Sequence, residues 1–348
     1  MTFLAWIWNR GFEQLEDAFS MGATYGAPVL LGALVCAALF YAHRRGSRGR
    51  KASLRGFIRS TFVGRILLHP SSLIDMRLWT LNTLVFASAY GLLILSASFW
   101  REATLHLLTG VFGAHAPLAW PAWTVLALAT VLQLLAFELG YWFGHYLFHV
   151  VPSLWEFHKV HHSAEVMTTF TELRQHPVEI IAVTNAEALC TGLVFGAMTY
   201  AFGAGVRPFT LLNGNIALML FLMTIGHLRH SHMWIPFTGW LGKLLQSPAH
   251  HQIHHSDNPR HFNMNLGYSL ALWDWLFGTL YLPTEKETIR FGVGARHIDF
   301  SSTLRLYVMP FVRAGERLKE AVAPQKAMET APAPPALAEA PPPRRKVA

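Results

Sequence analysis

Cysteine and charge are both scarce in this 348-residue sequence. Cys36 and Cys190 are the only thiols, each set in an apolar stretch and far from the other, which excludes a disulfide framework, a thiolate metal site and an iron–sulfur cluster. Asp, Glu, Lys and Arg make up 14% of the chain against 52% hydrophobic residues, and the mean hydropathy is +0.30, too apolar for an ordinary soluble domain. Acids are the scarcer sign, 20 against 28 bases, and the net charge is +8. The bases sit mostly beside apolar segments, as in membrane proteins that orient by their basic loops, so no nucleic-acid partner is read from them. Also missing are a Gly-rich nucleotide fingerprint and any HExxH peptidase motif, since HYLFH carries Tyr146 where the general-base Glu would stand. The first 26 residues lack a basic run leading into an apolar core and a small-residue cleavage site, so no cleavable signal peptide is expected.

Five apolar stretches, near 27–42, 79–99, 121–143, 178–202 and 209–226, approach the roughly 20 residues a helix needs to cross the hydrocarbon core. The last two are separated only by the turn around Gly203, Gly205 and Pro208 and read as a tight helical hairpin. The expected fold is all-α, an integral membrane bundle of four to five membrane segments with a histidine-rich helical cap on the cytoplasmic side. Orientation follows from the stretch Arg44 to Arg77, where nine bases stand against one acid, Asp75; this puts the loop in the cytoplasm and the N-terminus outside. Alternate threading then brings 145–176 and 227–261 to the same, cytoplasmic side. Leu54, Phe57, Ile58 and Phe62 recur at helical spacing with Arg55, Arg59 and Arg65 on other faces, the pattern of an interfacial amphipathic helix. The expected division is 1–120 for the N-terminal membrane segments and basic loop, 121–300 for the histidine-bearing domain and 301–323 for a C-terminal helix. The remaining 324–348 holds seven prolines and closes on Arg344-Arg345-Lys346, a disordered tail by composition.

What the chain has in abundance is histidine: 19 residues, fourteen of them between His145 and His261. Four groups stand out. His145 and His149 lie at i and i+4 where the third apolar stretch ends; His158, His161 and His162 form HKVHH; His227 and His230, with His232 beside them, form GHLRHSH; and His251, His254 and His255 form HHQIHH. Spacings of three and four put rings on one side of a helix, and neutral imidazole is a good ligand for iron, zinc and copper. Ten candidate nitrogens exceed what one ion can use and suit two. By contrast, His43, His69, His106, His115 and His297 stand alone and read as structural or interfacial. A haem would leave most of these rings unexplained, and a transporter would carry its ligands at mid-membrane depth rather than at the boundary.

The stretches ELGYWFGHYLFH, LWEFHKVHH, LRQHPVE, GHLRHSH, SPAHHQIHHS and NLGYSLALWDWLFGTLYLP, spread over 125–283, resemble the fatty acid hydroxylase/sterol desaturase superfamily in order and spacing. The resemblance implies a non-haem di-iron site at the cytoplasmic face of a helical bundle, oxidising a lipid C–H bond with O2 and two electrons, with 121–300 as the catalytic domain. It carries iron ligation onto His145, His149, His158, His161, His162, His251, His254 and His255. His227 and His230 follow as a looser match, HxxH where the family often has HxxxH. Supporting roles around the ligands fall to Glu138, His176 and His261, with Glu138 placed to orient a ligand imidazole, and His232 stands open as a ligand in place of His230 or as a supporting residue. The closing Trp273, Asp274 and Phe277-Gly278-Thr279 read as packing. No redox domain is visible in the sequence, so a separate ferredoxin or cytochrome b5-like donor is implied. Substrate is expected from the bilayer through an apolar cavity. Sterol, hopanoid, fatty acyl, alkylglycerol and carotenoid substrates stay open, as does hydroxylation against desaturation. The alternative of another class is a histidine-based metal-binding or transport protein without redox chemistry.

Overall fold

The computed structural model describes residues 25–294, 300 and 302–322; the expected signal-free N-terminus and the Pro-rich tail lie outside them. The protein is mostly helical, and three helices are long and apolar enough to cross a membrane: α1 (Ala27–Gly46), α6 (Ala122–Val150) and α8 (Pro177–Phe202). Large apolar side chains along them face outward, among them Leu31, Leu39 and Val131, which suits lipid as the surrounding solvent. This is an integral membrane protein.

Smaller helices complete the bundle: α2 (Leu54–Thr61), α3 (Pro70–Leu81), α4 (Ala87–Leu93), α5 (Ala97–Phe112), α7 (Pro152–His162), α9 (Ile216–Thr224), α10 (Pro248–His254), α11 (Leu272–Phe277) and α12 (Thr303–Val322). Helix α8 packs along both α6 and α5, and small residues set the approach. A Cβ added at Gly140 would lie 2.6 Å from the Ala186 carbonyl oxygen of α8, and one at Gly196 would lie 2.7 Å from that of Arg101 in α5. The spacings Gly140-x-x-x-Gly144 and Gly192-x-x-x-Gly196 therefore act as close-packing seams.

Two of the five apolar stretches differ from expectation. The second is not one straight span: Pro70–Phe86 and Tyr90–Phe112 meet at 66° and amount to one broken crossing at most. A π-helical turn, Asn82–Phe86, precedes the break. Within it Asn82 donates to the Gln175 carbonyl at 2.8 Å and accepts from the Tyr307 hydroxyl at 2.9 Å, a polar anchor that fixes the bend.

The fifth stretch is not a single helix long enough to cross. Its first part is a β-hairpin, Thr210–Leu211 (β1) against Gly214–Asn215 (β2), turning at Leu212 and Asn213 with φ of 48° and 64°. Only the nine residues of α9 are helical. Hydrophobicity pointed to a membrane helix, but the Asn213-Gly214-Asn215 turn signal wins. The non-helical backbone is tolerated because α6 covers it: Phe209 N donates to Thr130 Oγ1 at 2.7 Å, and Asn215 Nδ2 to the Thr130 carbonyl at 2.9 Å.

A buried ion pair ties α3 to the segment after α7. Arg174 reaches Asp75 at 2.9 Å, the Val160 carbonyl at 2.9 Å and Ser163 Oγ at 2.7 Å, and Thr171 donates to the second Asp75 oxygen. Asp75, the lone acid of the basic loop, is thus an interior partner with no exposure. Asp75→Ala strands a buried guanidinium and is expected to destabilise by about 3–5 kcal/mol, while Asp75→Ala/Arg174→Met recovers part of that loss; thermal unfolding in detergent measures both.

Candidate metal centre

Two clusters of imidazole nitrogens lie side by side at the end of α6. The first joins His145 and His149 of α6, His158 and His162 of α7, and His254 of α10; the second joins His161, His230, His251 and His255. In each, the donor nitrogens all fall within 4.8 Å of one another. The clusters touch: the His162 and His255 ring centres are 4.5 Å apart. Eight of these rings are buried and His149 is half-buried.

Helical geometry decides which ring goes where. Residues at i and i+4 are offset by about 40° around a helix and residues at i and i+3 by about 60° the other way, so adjacent i+3 and i+4 positions diverge by about 100°. His158 and His162 accordingly face the first cluster while His161 faces the second, and His251 and His255 face the second while His254 faces the first. Each HxxHH motif is thus shared between the clusters instead of serving one.

Hydrogen bonds to the far ring nitrogens set the tautomers. His145 Nδ1 donates to the Leu266 carbonyl at 2.7 Å, His254 Nδ1 to that of Met264 at 3.0 Å, and His158 Nδ1 to the Glu179 carboxylate at 2.7 Å. With Nδ1 protonated, Nε2 of a neutral ring presents a lone pair. His145 Nε2 and His158 Nε2 nonetheless lie 3.0 Å apart, an arrangement that only a cation between them makes favourable. Nε2 of His149 and of His254 are also buried and find no hydrogen-bond partner among the described residues. In the second cluster, Nε2 of His251 is 2.7 Å from that of His230 and 3.2 Å from that of His255. The residues fit a pair of metal ions with imidazole ligands.

A clamp behind the rings was not legible as such. The segment 261–267 supplies the Met264 and Leu266 carbonyls, with Asn263 and Asn265 in left-handed conformations at φ of 61° and 58°. Asn265 holds the His250 and Tyr281 carbonyls, and Asn263 hydrogen-bonds His149. Asp274, buried completely, accepts from Leu266 N, Gly267 N, Gln246, Thr279 and Trp142. The WDW segment that read as packing therefore fixes the carbonyl that orients His145.

Several expected residues stand elsewhere. His227 joins neither cluster; its Nδ1 lies 3.6 Å from Glu172, which also binds Arg229 at 2.8 Å and Tyr268 at 3.0 Å. The one-residue step from a 3₁₀ turn, Gly226–Leu228, turns His227 away while His230 points inward. Glu138 contacts no ligand ring: Ser269 N and Oγ and Leu270 N occupy it, and Glu179 is the carboxylate that holds a ligand imidazole. His176 caps α8 through Val178 N and donates to the Tyr307 carbonyl at 3.2 Å. His261 lies 3.1 Å from Glu287, and exposed His232 donates to the Ser60 carbonyl at the end of α2. A cavity beside the rings is lined by Lys159, Arg290 and Arg317 as well as by His149, His162, His254 and His255.

Burial keeps these rings neutral. It pushes His158, His162, His230, His251, His254 and His255 well below the usual imidazole range, neighbouring rings adding to the effect, and takes His161 from 6.5 to about 3. For Glu172, burial alone would raise the carboxyl, but the Arg229 guanidinium outweighs it and holds the group below the carboxylate range. Because the folded values lie below the unfolded 6.5, the unfolded chain takes up the protons first as the solution is acidified. The stability from these rings is complete above 6.5 and is lost as pH falls from there toward 3. Thermal midpoints of the metal-free protein are expected to drop continuously across that window.

Residues 130–279 match the Fatty acid hydroxylase family. Among curated proteins, the chain is similar to an ornithine lipid hydroxylase of Rhizobium tropici, 27% identical over 57% of this chain and 55% of that protein. It is 30% identical to an alkylglycerol monooxygenase of Xenopus tropicalis over 47% of this chain and 32% of that protein, and 25% identical to a Delta(7)-sterol 5(6)-desaturase of Gibberella zeae over 46% and 44%. The chain thus spans about half the length of these relatives or less. No solved structure matches it. All nine clustered histidines fall inside the matched stretch, so it is this stretch, with the ordered motifs around them, that carries the likeness to fatty acid hydroxylases and sterol desaturases.

Proposed function

We propose that the protein is a membrane-bound di-iron oxygenase that hydroxylates or desaturates a C–H bond of a lipid. The observation that carries this reading is the pairing of two adjacent imidazole clusters, one of five rings and one of four, whose Nε2 lone pairs converge. His145, His149, His158, His162 and His254 would hold one iron, and His161, His230, His251 and His255 the other. All-imidazole clusters this close together suit a pair of redox ions better than transport, which needs a path and exchangeable ligands.

Bound iron supplies O2 activation, which an unactivated C–H bond requires because acid–base chemistry cannot break it. Hydroxylation balances as C–H + O2 + 2e⁻ + 2H⁺ → C–OH + H2O, and desaturation as CH–CH + O2 + 2e⁻ + 2H⁺ → C=C + 2H2O. The protein's own part is to fix ring tautomers through Leu266, Met264 and Glu179, and to keep the imidazoles neutral by burial. The electrons would come from a separate ferredoxin or cytochrome b5-like protein. We place the clusters on the cytoplasmic side, on the strength of the basic loop 44–77. The three relatives named above act on lipids by their names, which supports a lipid substrate here.

Protein purified without air is expected to hold about two irons per chain and to lose them in His161→Ala and His254→Ala; metal analysis finding none, or iron undiminished in both variants, defeats the assignment. Cells grown under labelled O2 with and without the gene test the chemistry: label in a new hydroxyl marks hydroxylation, an unlabelled new double bond marks desaturation, and an unchanged lipid profile rules against an oxygenase. Glu179→Ala should keep the fold but weaken metal affinity about 10–100-fold by freeing the His158 ring, read by chelator competition.

A further inference from the structure

The cavity beside the rings carries information about the substrate. Its volume is about 660 Å³, and its lining includes His149, His162 and His254 of the first cluster and His255 of the second. Space of this size suits a ligand of a few tens of atoms, enough for a polar head and the first carbons of a chain, and too little for a whole two-chain lipid.

Charge on its lining is lopsided. Lys159, Arg290 and Arg317 line it, with Asp257 the single acid among the described lining residues. The acids that steady two of these cations stand behind the wall: Glu156 binds Lys159 and takes Arg317 Nε at 3.2 Å, and Glu320 takes Arg317 at 2.9 Å. Arg290 reaches Asp257 at 2.7 Å with a side chain 85% exposed, so it can turn to a ligand at little cost. Three separate segments deliver the cations: α7 for Lys159, α12 for Arg317, and the strand-like stretch around Phe291, bridged to Ser256, for Arg290. Lys159 is itself buried, which an incidental surface lysine would not be.

We propose that this cavity receives the anionic part, phosphate or carboxylate, of a polar membrane lipid's head group, and that the oxidised C–H bond lies in that head group or on the carbons next to it. The inference rests on the oxygenase reading above for its second half only. Guanidinium groups bind both anions through paired N–H donors, and because the cations share one cavity with four cluster imidazoles, a head group held by them keeps its neighbouring carbons beside the rings. A sterol or hydrocarbon would gain nothing from three cations.

The test uses the metal-loaded protein in detergent without an electron donor, so that nothing turns over. Calorimetric titration compares dioctanoyl phosphatidic acid, dioctanoyl glycerol and inorganic phosphate. The phosphate-bearing lipid is expected to bind at least about tenfold more tightly than the neutral one, with Arg290→Glu and Arg317→Gln each erasing most of that preference while metal content stays the same. Equal binding of charged and neutral lipids, or a preference that survives both substitutions, overturns the site; inorganic phosphate binding as tightly as the lipid overturns the lipid assignment. Fragmentation of oxidised lipids from expressing cells then locates the new group. Oxygen or unsaturation in or beside the head supports the placement, and modification far along a chain refutes it. If no lipid is oxidised but the binding preference stands, the oxygenase reading fails and the anion site is upheld.

Discussion

Lone pairs on neutral nitrogens repel, and this protein gathers nine such rings, eight of them buried, where their free nitrogens point at each other. For three of the first cluster's rings, His145, His254 and His158, the other face is claimed first: the Leu266 and Met264 carbonyls and the Glu179 carboxylate each take an Nδ1 proton. Removing that outer layer would let rings re-protonate at Nε2, pair among themselves and rotate away from a shared centre. The wider fold serves the same end. α6 and α7 deliver five rings almost contiguously, α10 and its C-cap deliver three more, and the Asn263–Asn265 and Asp274 clamp presents the carbonyls at fixed depth.

The crosswise sharing of the two HxxHH motifs follows from helix geometry alone. A helix that contributes an i, i+4 pair to one centre necessarily aims its i+3 ring about 100° away, so a second centre beside the first uses what the first cannot. Two such helices, α7 and α10, set against each other give each centre one pair and one single ring. The charged interior beside them, Arg229 with Glu172 and Tyr268 on one side and Arg174 with Asp75 on the other, holds the loops between helices.

Much of this was legible in the residues. Histidine spacing marked every ring that the structure gathers, because metal ligation leaves a pattern in single side chains at helical intervals. The long apolar runs marked α1, α6 and α8 for the same reason. What the pattern could not carry was direction and depth. His227 and His230 are equally suggestive in sequence, yet a short 3₁₀ turn rotates only one of them inward. Glu138 lies two turns from His145 on α6, a good position on paper, but backbone amides 269 and 270 arrive from far along the chain and occupy it. Asp274 looked like packing because its partners, Trp142, Gln246 and the 266–267 amides, come together only in three dimensions. The segment 209–226 misled by its apolarity, since the Asn213-Gly214 turn outweighs hydropathy wherever a neighbouring helix can satisfy the backbone.

The two imidazole clusters draw on the chain very differently. Four rings of the five-membered one come from residues 145–162, so a single local hairpin of helices all but assembles it, whereas the four-membered one joins 161 to 230, 251 and 255. Closing those wide loops costs chain entropy that the compact cluster largely avoids. A partial opening that detaches only the loop around His230 would therefore dismantle one centre and spare the other, giving the pair unequal cohesion despite their contact.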